Sequence, residues 1–369
     1  MNNQLTYRIA FSQLRGITPQ LAQEILAKTG SEDEFFRLSQ SALSAAMGLR
    51  SRLFDESYRA GLVDKASKEI GFIESSGIET IYFSDPDYPG ALTECSDAPL
   101  MLYSLGQASL DSATPMLSIV GTRHATPYGL DFVERLIADI AEKVATPVTI
   151  ISGLAFGIDI AAHKAALRHG LPTIAVLAHG LNMIYPAQHR TVAADIVRSG
   201  GRLVTEYTSQ CAVHKGNFVA RNRIVAGMSH ALIVAESARK GGALITARLA
   251  SDYDRDVFAL PGRTSDRYSA GCNALIADNT ASLITCADDL IKAMNWPEKA
   301  TAASQPSLFP DLTDEEKSIL EFLTSKGEAM INSISVNLNI AIGRLMSILI
   351  DMEFKGLIIK YPGGKYRLK

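Results

Sequence analysis

The sequence predicts an α/β protein built on a Rossmann-like, doubly wound parallel sheet, with a small helical domain before it and a separate module after it. Three observations carry this. From Pro115 to about residue 295, short apolar runs alternate with amphipathic segments, the pattern of parallel strands covered on both faces by helices. Gly-rich turns follow several of those runs, where ligand-binding loops of such sheets gather. On either side of this region the apolar residues fall mainly at helical three and four spacing.

Residues 1 to about 78 read as helices over Tyr7 to Leu14, Pro19 to Thr29, Glu32 to Leu38 and Ser57 to Ser75, separated by Gly16, Gly30 and Gly48. Leu14 to Ala22 has the look of a helix-hairpin-helix turn, with Thr18 where a second Gly is usual, so a structural hairpin is expected. Short extended runs follow at Thr80 to Phe83 and Pro99 to Gly106. Strands are then expected near Leu117 to Gly121, Val148 to Ser152, Thr173 to Ala178, Gly201 to Glu206, Ala231 to Ala235, Asp256 to Leu260 and Ser282 to Thr285. The clearest helix is Leu130 to Val144, whose Val133, Leu136, Ile137, Ile140, Ala141 and Val144 form one buried stripe. This places the central domain at residues 79–296.

Residues 297–312 are rich in Ala, Ser, Thr and Pro and carry no apolar period. As a flexible tether they would span about 20–24 Å. Residues 313–369 then give three helices and a two-stranded hairpin around Pro362-Gly363-Gly364, the order of a winged-helix domain. Its third helix shows mainly Arg344, Ser347, Asp351 and Lys355 outward, so a protein contact or a regulatory role is expected rather than major-groove reading.

Composition narrows the classes. The formal charge is −3, so nucleic-acid binding would have to rely on a local patch rather than a general positive field. The start lacks a basic and apolar leader, and no run approaches the ~18 apolar residues of a membrane span. A soluble, cytoplasmic protein without membrane contact is expected. The four Cys, at 95, 211, 272 and 286, have no ligand spacing, and neither metal, cofactor nor disulfide framework is expected.

Four strand ends carry polar or Gly-rich signals. Ser152-Gly153-Leu154-Ala155-Phe156-Gly157 reads as strand, tight turn and helix start, leaving N–H groups that a phosphate can approach; the same turn also suits a helix that simply packs on its strand. Arg123 after Gly121 is placed to hold a phosphate bidentately. Phe218, Arg221, Asn222 and Arg223 interleave an aromatic with cations at a helix start, as base stacking with phosphate neutralisation requires. Of the histidines, His163 reads as packed, and His179, at a strand end, is the one to test for activity.

Val120-Gly121-Thr122-Arg123, Ser152-Gly153-Leu154-Ala155-x-Gly157-Ile158-Asp159-x-x-Ala162-His163, Tyr185-Pro186, Asn217-Phe218-x-x-Arg221-Asn222-Arg223-Ile224, Leu244-Ile245-Thr246-Ala247 and Pro261-Gly262 together resemble the DNA processing protein A (DprA/Smf) family over about residues 80 to 290. The resemblance implies an extended Rossmann fold, single-stranded DNA binding, homodimers, and delivery of incoming DNA to the recombinase RecA in natural transformation. By the same resemblance Arg123 would grip the backbone. Ser152, Gly153 and Gly157 would offer loop donors, and Phe218, Arg221 and Asn222 would form a base and backbone pocket, with Lys164, Arg223 and Gly242 completing the set. Phe156, included in the set, stands where the family often has a basic residue, which removes one phosphate contact and leaves a ring that can stack on a base.

The rival is a nucleoside monophosphate hydrolase of the related Rossmann type. Its G-G-x-G-T-x-x-E loop needs a Glu, and alignment on Gly241-Gly242 places Arg248 there. No catalytic residue is therefore assigned, and a non-enzymatic DNA binder is expected.

Overall fold

In the computed structural model, residues 3–299, 312–361 and 364–368 are described, and the chain divides into two compact units, Met1–Lys299 and Ala300–Lys369. The tether expected at 297–312 lies largely outside the described residues.

The first unit opens with α1 (Asn3–Ser12), α2 (Pro19–Thr29), α3 (Glu32–Arg37), α4 (Gln40–Met47) and α5 (Glu56–Ser76). Local chemistry sets their ends: Thr18, Ser31, Ser39 and Asp55 each accept from a first-turn N–H, while Gly30, Gly48 and Gly77 close the C-termini. The helix α4 went unread because it buries only Leu43 and Met47, too few positions for a period.

There follow β1 (Glu79–Tyr82), α6 (Gly90–Thr93), β2 (Met101–Gly106), β3 (Met116–Val120), α7 (Pro127–Lys143), β4 (Thr149–Ser152), α8 (Ile158–Arg168), β5 (Thr173–Val176), α9 (Arg190–Arg198) and β6 (Arg202–Thr205). The unit ends with α10 (Lys215–Gly227), β7 (Ala231–Val234), α11 (Gly242–Asp252), β8 (Asp256–Ala259), α12 (Ala270–Ala277), β9 (Ser282–Leu283) and α13 (Ala287–Met294). The nine strands form one sheet in the order β1-β2-β6-β5-β4-β3-β7-β8-β9. From β6 to β9 every pairing is parallel, and β1 and β2 add an antiparallel edge. The strands β3, β4, β5 and β7 are buried along their whole length, which is why they read as continuous apolar runs. One face of the sheet packs against α10, α11 and α12, the other against α7, α8 and α13. Pro127 starts α7 three residues earlier than its apolar stripe indicates, a first-turn position where the fixed φ of Pro fits and no N–H is needed.

The core of the helical segment continues into the edge of the sheet. Ile9, Phe11, Ile25, Phe35 and Phe54 belong to one cluster with Ile78, Tyr82, Met101 and Tyr103 of the edge strands, so the boundary expected at residue 78 runs through a shared core. Glu69 of α5, buried, accepts the Ser209 N–H at 2.7 Å and its hydroxyl at 2.6 Å, tying α5 to the loop ahead of α10.

The second unit comprises α14 (Asp314–Lys326), β10 (Glu328–Met330), α15 (Ile331–Leu338), α16 (Ile342–Phe354), β11 (Ile358–Tyr361) and β12 (Lys365–Leu368), with an antiparallel sheet ordered β10-β12-β11. A capping box between Thr313 and Glu316 starts α14. The strand β10 is an addition to the expected hairpin; its pairing with β12 across more than thirty intervening residues leaves no local trace in the sequence. Among the described residues no single helix is long and apolar enough to cross a membrane.

Candidate nucleic-acid interface

The strand order reverses between β3 and β7, and a crevice opens at such a switch point outside the carboxyl ends of the strands. Here it is a cleft of 260 Å³ whose lining includes Thr122, Arg123, Asp159, Phe218, Arg221 and Gly242. Arg123, on the loop after β3, is exposed, makes no ion pair with the described residues, and lies 5.5 Å from the centroid of the Phe218 ring. Tyr185, from the loop after β5, meets the same ring edge-on at 5.6 Å. Gly242 begins α11 with open space where a Cβ would stand. The Leu244 N–H donates to the Gly241 carbonyl at 3.2 Å, which leaves the N–H groups of Gly242 and Ala243 at the cleft for an anion.

Beneath this surface the cleft floor is a closed network. Arg221 is 4 % exposed; its Nη1 donates to the Gly153 carbonyl at 2.7 Å and to the Val176 carbonyl, and its Nε donates to Asn222 Oδ1 at 3.2 Å. It joins the ends of β4 and β5. Gly153 has no side chain because a Cβ would come 2.5 Å from that guanidinium. Asp159, in the first turn of α8, is buried near the Ala155 and Gly153 amides. Burial holds its carboxyl above the ordinary range, against the pull of Arg221, those two amides and Arg123. Burial likewise pushes the Arg221 guanidinium down, with Asp159 opposing.

Several expected roles change on this geometry. Ser152 is fully buried and its hydroxyl donates to the Ile119 carbonyl at 2.6 Å, so it serves the sheet instead of a ligand. Gly153 gives its carbonyl to Arg221 at 2.7 Å, as part of the cleft floor. Gly157 has φ 77° and would place a Cβ 2.1 Å from the Thr122 carbonyl oxygen, so its role is to let two loops touch. Arg223 is not free: its Nη2 lies 2.5 Å from Glu206 Oε2, away from the cleft lining. Lys164, exposed on α8, and Phe156, exposed and edge-on to His189 at 4.8 Å, also lie outside that lining. Thus Arg123, Phe218, Arg221, Asn222 and Gly242 come together, and Arg221 does so as a buried brace.

His163 and His179 are structural. His163 is buried with Nδ1 2.7 Å from the Thr173 hydroxyl, and burial holds it down at about 3. His179, singled out for testing, accepts the Tyr185 N–H on Nε2 at 3.1 Å, while Nδ1 lies 2.9 Å from the Gly180 carbonyl. Both nitrogens hold the Tyr185 loop, and burial lowers its basicity. Glu236, at the end of β7, is buried and accepts the Thr126 amide and hydroxyl at 2.8 and 2.6 Å.

Sequence reasoning passed over the exposed cations Arg239, Arg263 and Arg267 on the loops after β7 and β8, where Lys240 is exposed too. Together with Arg123 they make the carboxyl edge of the sheet basic. The net charge concealed this; the positions of the cations within strand-end loops were the available signal.

The family described as DNA recombination-mediator protein A matches residues 79–295. The chain is 31 % identical to protein Smf of Synechocystis across 99 % of both chains. Among solved structures it is similar to DNA processing protein A of Streptococcus pneumoniae, with TM-score 0.64 and 31 % identity over 79 % of this chain and 98 % of that one. The Helicobacter pylori protein, described for its single-stranded DNA binding mode, aligns with TM-score 0.52 and 30 % identity over 59 % of this chain and 95 % of that one.

Proposed function

The chain belongs to the DNA recombination-mediator protein A family, and on that premise we propose that it binds single-stranded DNA at the β3–β7 cleft and presents it to a RecA-type recombinase. In this reading it acts in the cytoplasm, as a homodimer and without catalysis, on DNA taken up in transformation. The second unit, read as a winged-helix domain, serves protein contact or regulation.

One observation carries the reading: an exposed, unpaired Arg123 beside the ring of Phe218 at the rim of a cleft that a helix N-terminus also faces. The guanidinium and the helix N–H groups suit phosphates, and the ring suits a base, with stacking of about 1–3 kcal/mol per base. Duplex DNA hides its base faces, so such a site favours unpaired strands. The hydrolase reading lacks support because Arg248, on α11, occupies the position of its acid.

The test is a titration of labelled single- and double-stranded oligonucleotides at two salt concentrations, with wild type and Arg123→Ala. The single strand is expected to bind tighter. The variant is expected to lose about tenfold in affinity, the worth of one charged contact, and about 0.7 of salt slope. Equal affinity for both forms, with Arg123→Ala unchanged, would overturn the proposal.

A further inference from the structure

The stacked and charged groups do not stop at the cleft. Arg123 and His124 are consecutive, yet they lie against aromatics from different neighbouring segments. Arg123 is beside Phe218 of α10. The His124 ring stacks on Tyr268, from the loop after β8, with centroids 6.3 Å apart and planes inclined by 26°. The Arg267 guanidinium lies 5.7 Å from the Tyr268 ring centroid. With Tyr185 beside Phe218 at the other end, the groups form a row: Tyr185, Phe218, Arg123, His124, Tyr268, Arg267.

Three features set the far half of this row apart from ordinary packing. His124 and Arg267 are exposed and Tyr268 is half-buried, whereas a core aromatic would be enclosed by apolar neighbours. Arg267 and the exposed Arg263 make no ion pair with the described residues. The loop does not depend on the Tyr268 ring for its place, because the Tyr268 main-chain carbonyl accepts the Ser237 N–H at 2.6 Å. What remains is a planar, partly open aromatic between two cation-capable groups, the chemistry that stacks bases and neutralises the intervening phosphates.

We propose that His124, Tyr268 and Arg267 form a second stacking ledge. It carries a bound single strand out of the cleft, across the β3–β7 switch and toward β8, so that the occupied stretch is longer than the cleft alone can hold. This rests on the single-strand reading above, and the test separates the two.

Full-length protein is titrated with oligothymidylates from the shortest that binds upward, comparing wild type, Arg123→Ala, Tyr268→Ala, Tyr268→Phe and Arg267→Ala. Tyr268→Ala is expected to match wild type on the shortest strands and to lose about tenfold on the longer ones. Tyr268→Phe, which keeps the ring, restores the gain with length. Arg267→Ala is expected to lower the salt slope by about 0.7 on long strands only. If both alanine variants follow wild type at every length, or lose equally at every length, while Arg123→Ala weakens all lengths, the ledge is overturned and the cleft stands. If Arg123→Ala is also without effect, the cleft reading falls and the ledge with it.

Discussion

Arg221 carries its charge out of water, and a buried charge persists only where bonds and a counter-charge replace the lost hydration. The carbonyls of Gly153 and Val176 and the carboxylate of Asp159 do this. Arg221→Ala is therefore expected to cost about 3–5 kcal/mol in a denaturant titration, whereas exposed Arg123→Ala should stay within about 0.5 kcal/mol of wild type. Loss of DNA binding in the first variant would then report a collapsed floor, and in the second a lost contact. Asp159 yields a pH prediction. Burial raises its carboxyl, so on acidification it gains a proton sooner than an ordinary Asp, and the cleft loses a negative charge. Single-strand affinity should rise as pH falls through that transition. Asp159→Asn should flatten the profile and, because it removes the counter-charge of Arg221, lower the denaturant midpoint; an unaltered profile would exclude Asp159 as the titrating group. At this scale the sequence was half legible. It placed Arg123 at a strand end and Phe218 at a helix start, which the structure brings within 5.5 Å, but the meaning of Gly153 depends on a guanidinium 68 positions later, which no local spacing encodes.

Between elements, the helices with a continuous apolar stripe and the fully buried strands were readable because periodicity is a local property. Strand order was not, since it is set by pairing between distant segments, and the antiparallel edge of β1 and β2 appeared only in the structure. The docking of α8 on β5 supplies a testable case. His163, held down at about 3, is neutral in the fold, while an unfolded His titrates near ~6.5. Its folded pKa is depressed, so its contribution is complete above about pH 6.5 and is lost as pH falls toward 3. The stability advantage of wild type over His163→Gln should shrink by about 1.4 kcal/mol for each pH unit in that window, as read by urea midpoints at several pH values. A difference independent of pH would show that the imidazole is not the linked group.

For the whole molecule, a formal charge of −3 coexists with a basic edge because the loops after β3, β7 and β8 contribute Arg123, Arg239, Lys240, Arg263 and Arg267. Composition alone averages such asymmetry away. Since the chain divides at residue 299, deleting residues 313–369 is expected to leave single-strand affinity largely unchanged, and a large loss would assign the second unit a direct contact. Removing residues 1–78 should have the opposite character. The fragment would uncover the faces of Tyr82, Met101 and Tyr103 and strip Ser209 of its carboxylate partner, so a lower melting temperature and aggregation are expected in light scattering.

The Glu69–Ser209 clasp also makes the helical lobe a buttress for the approach to α10, the helix that delivers Phe218. The stiffness of the binding face is thus borrowed from helices stationed at the β1 edge of the sheet.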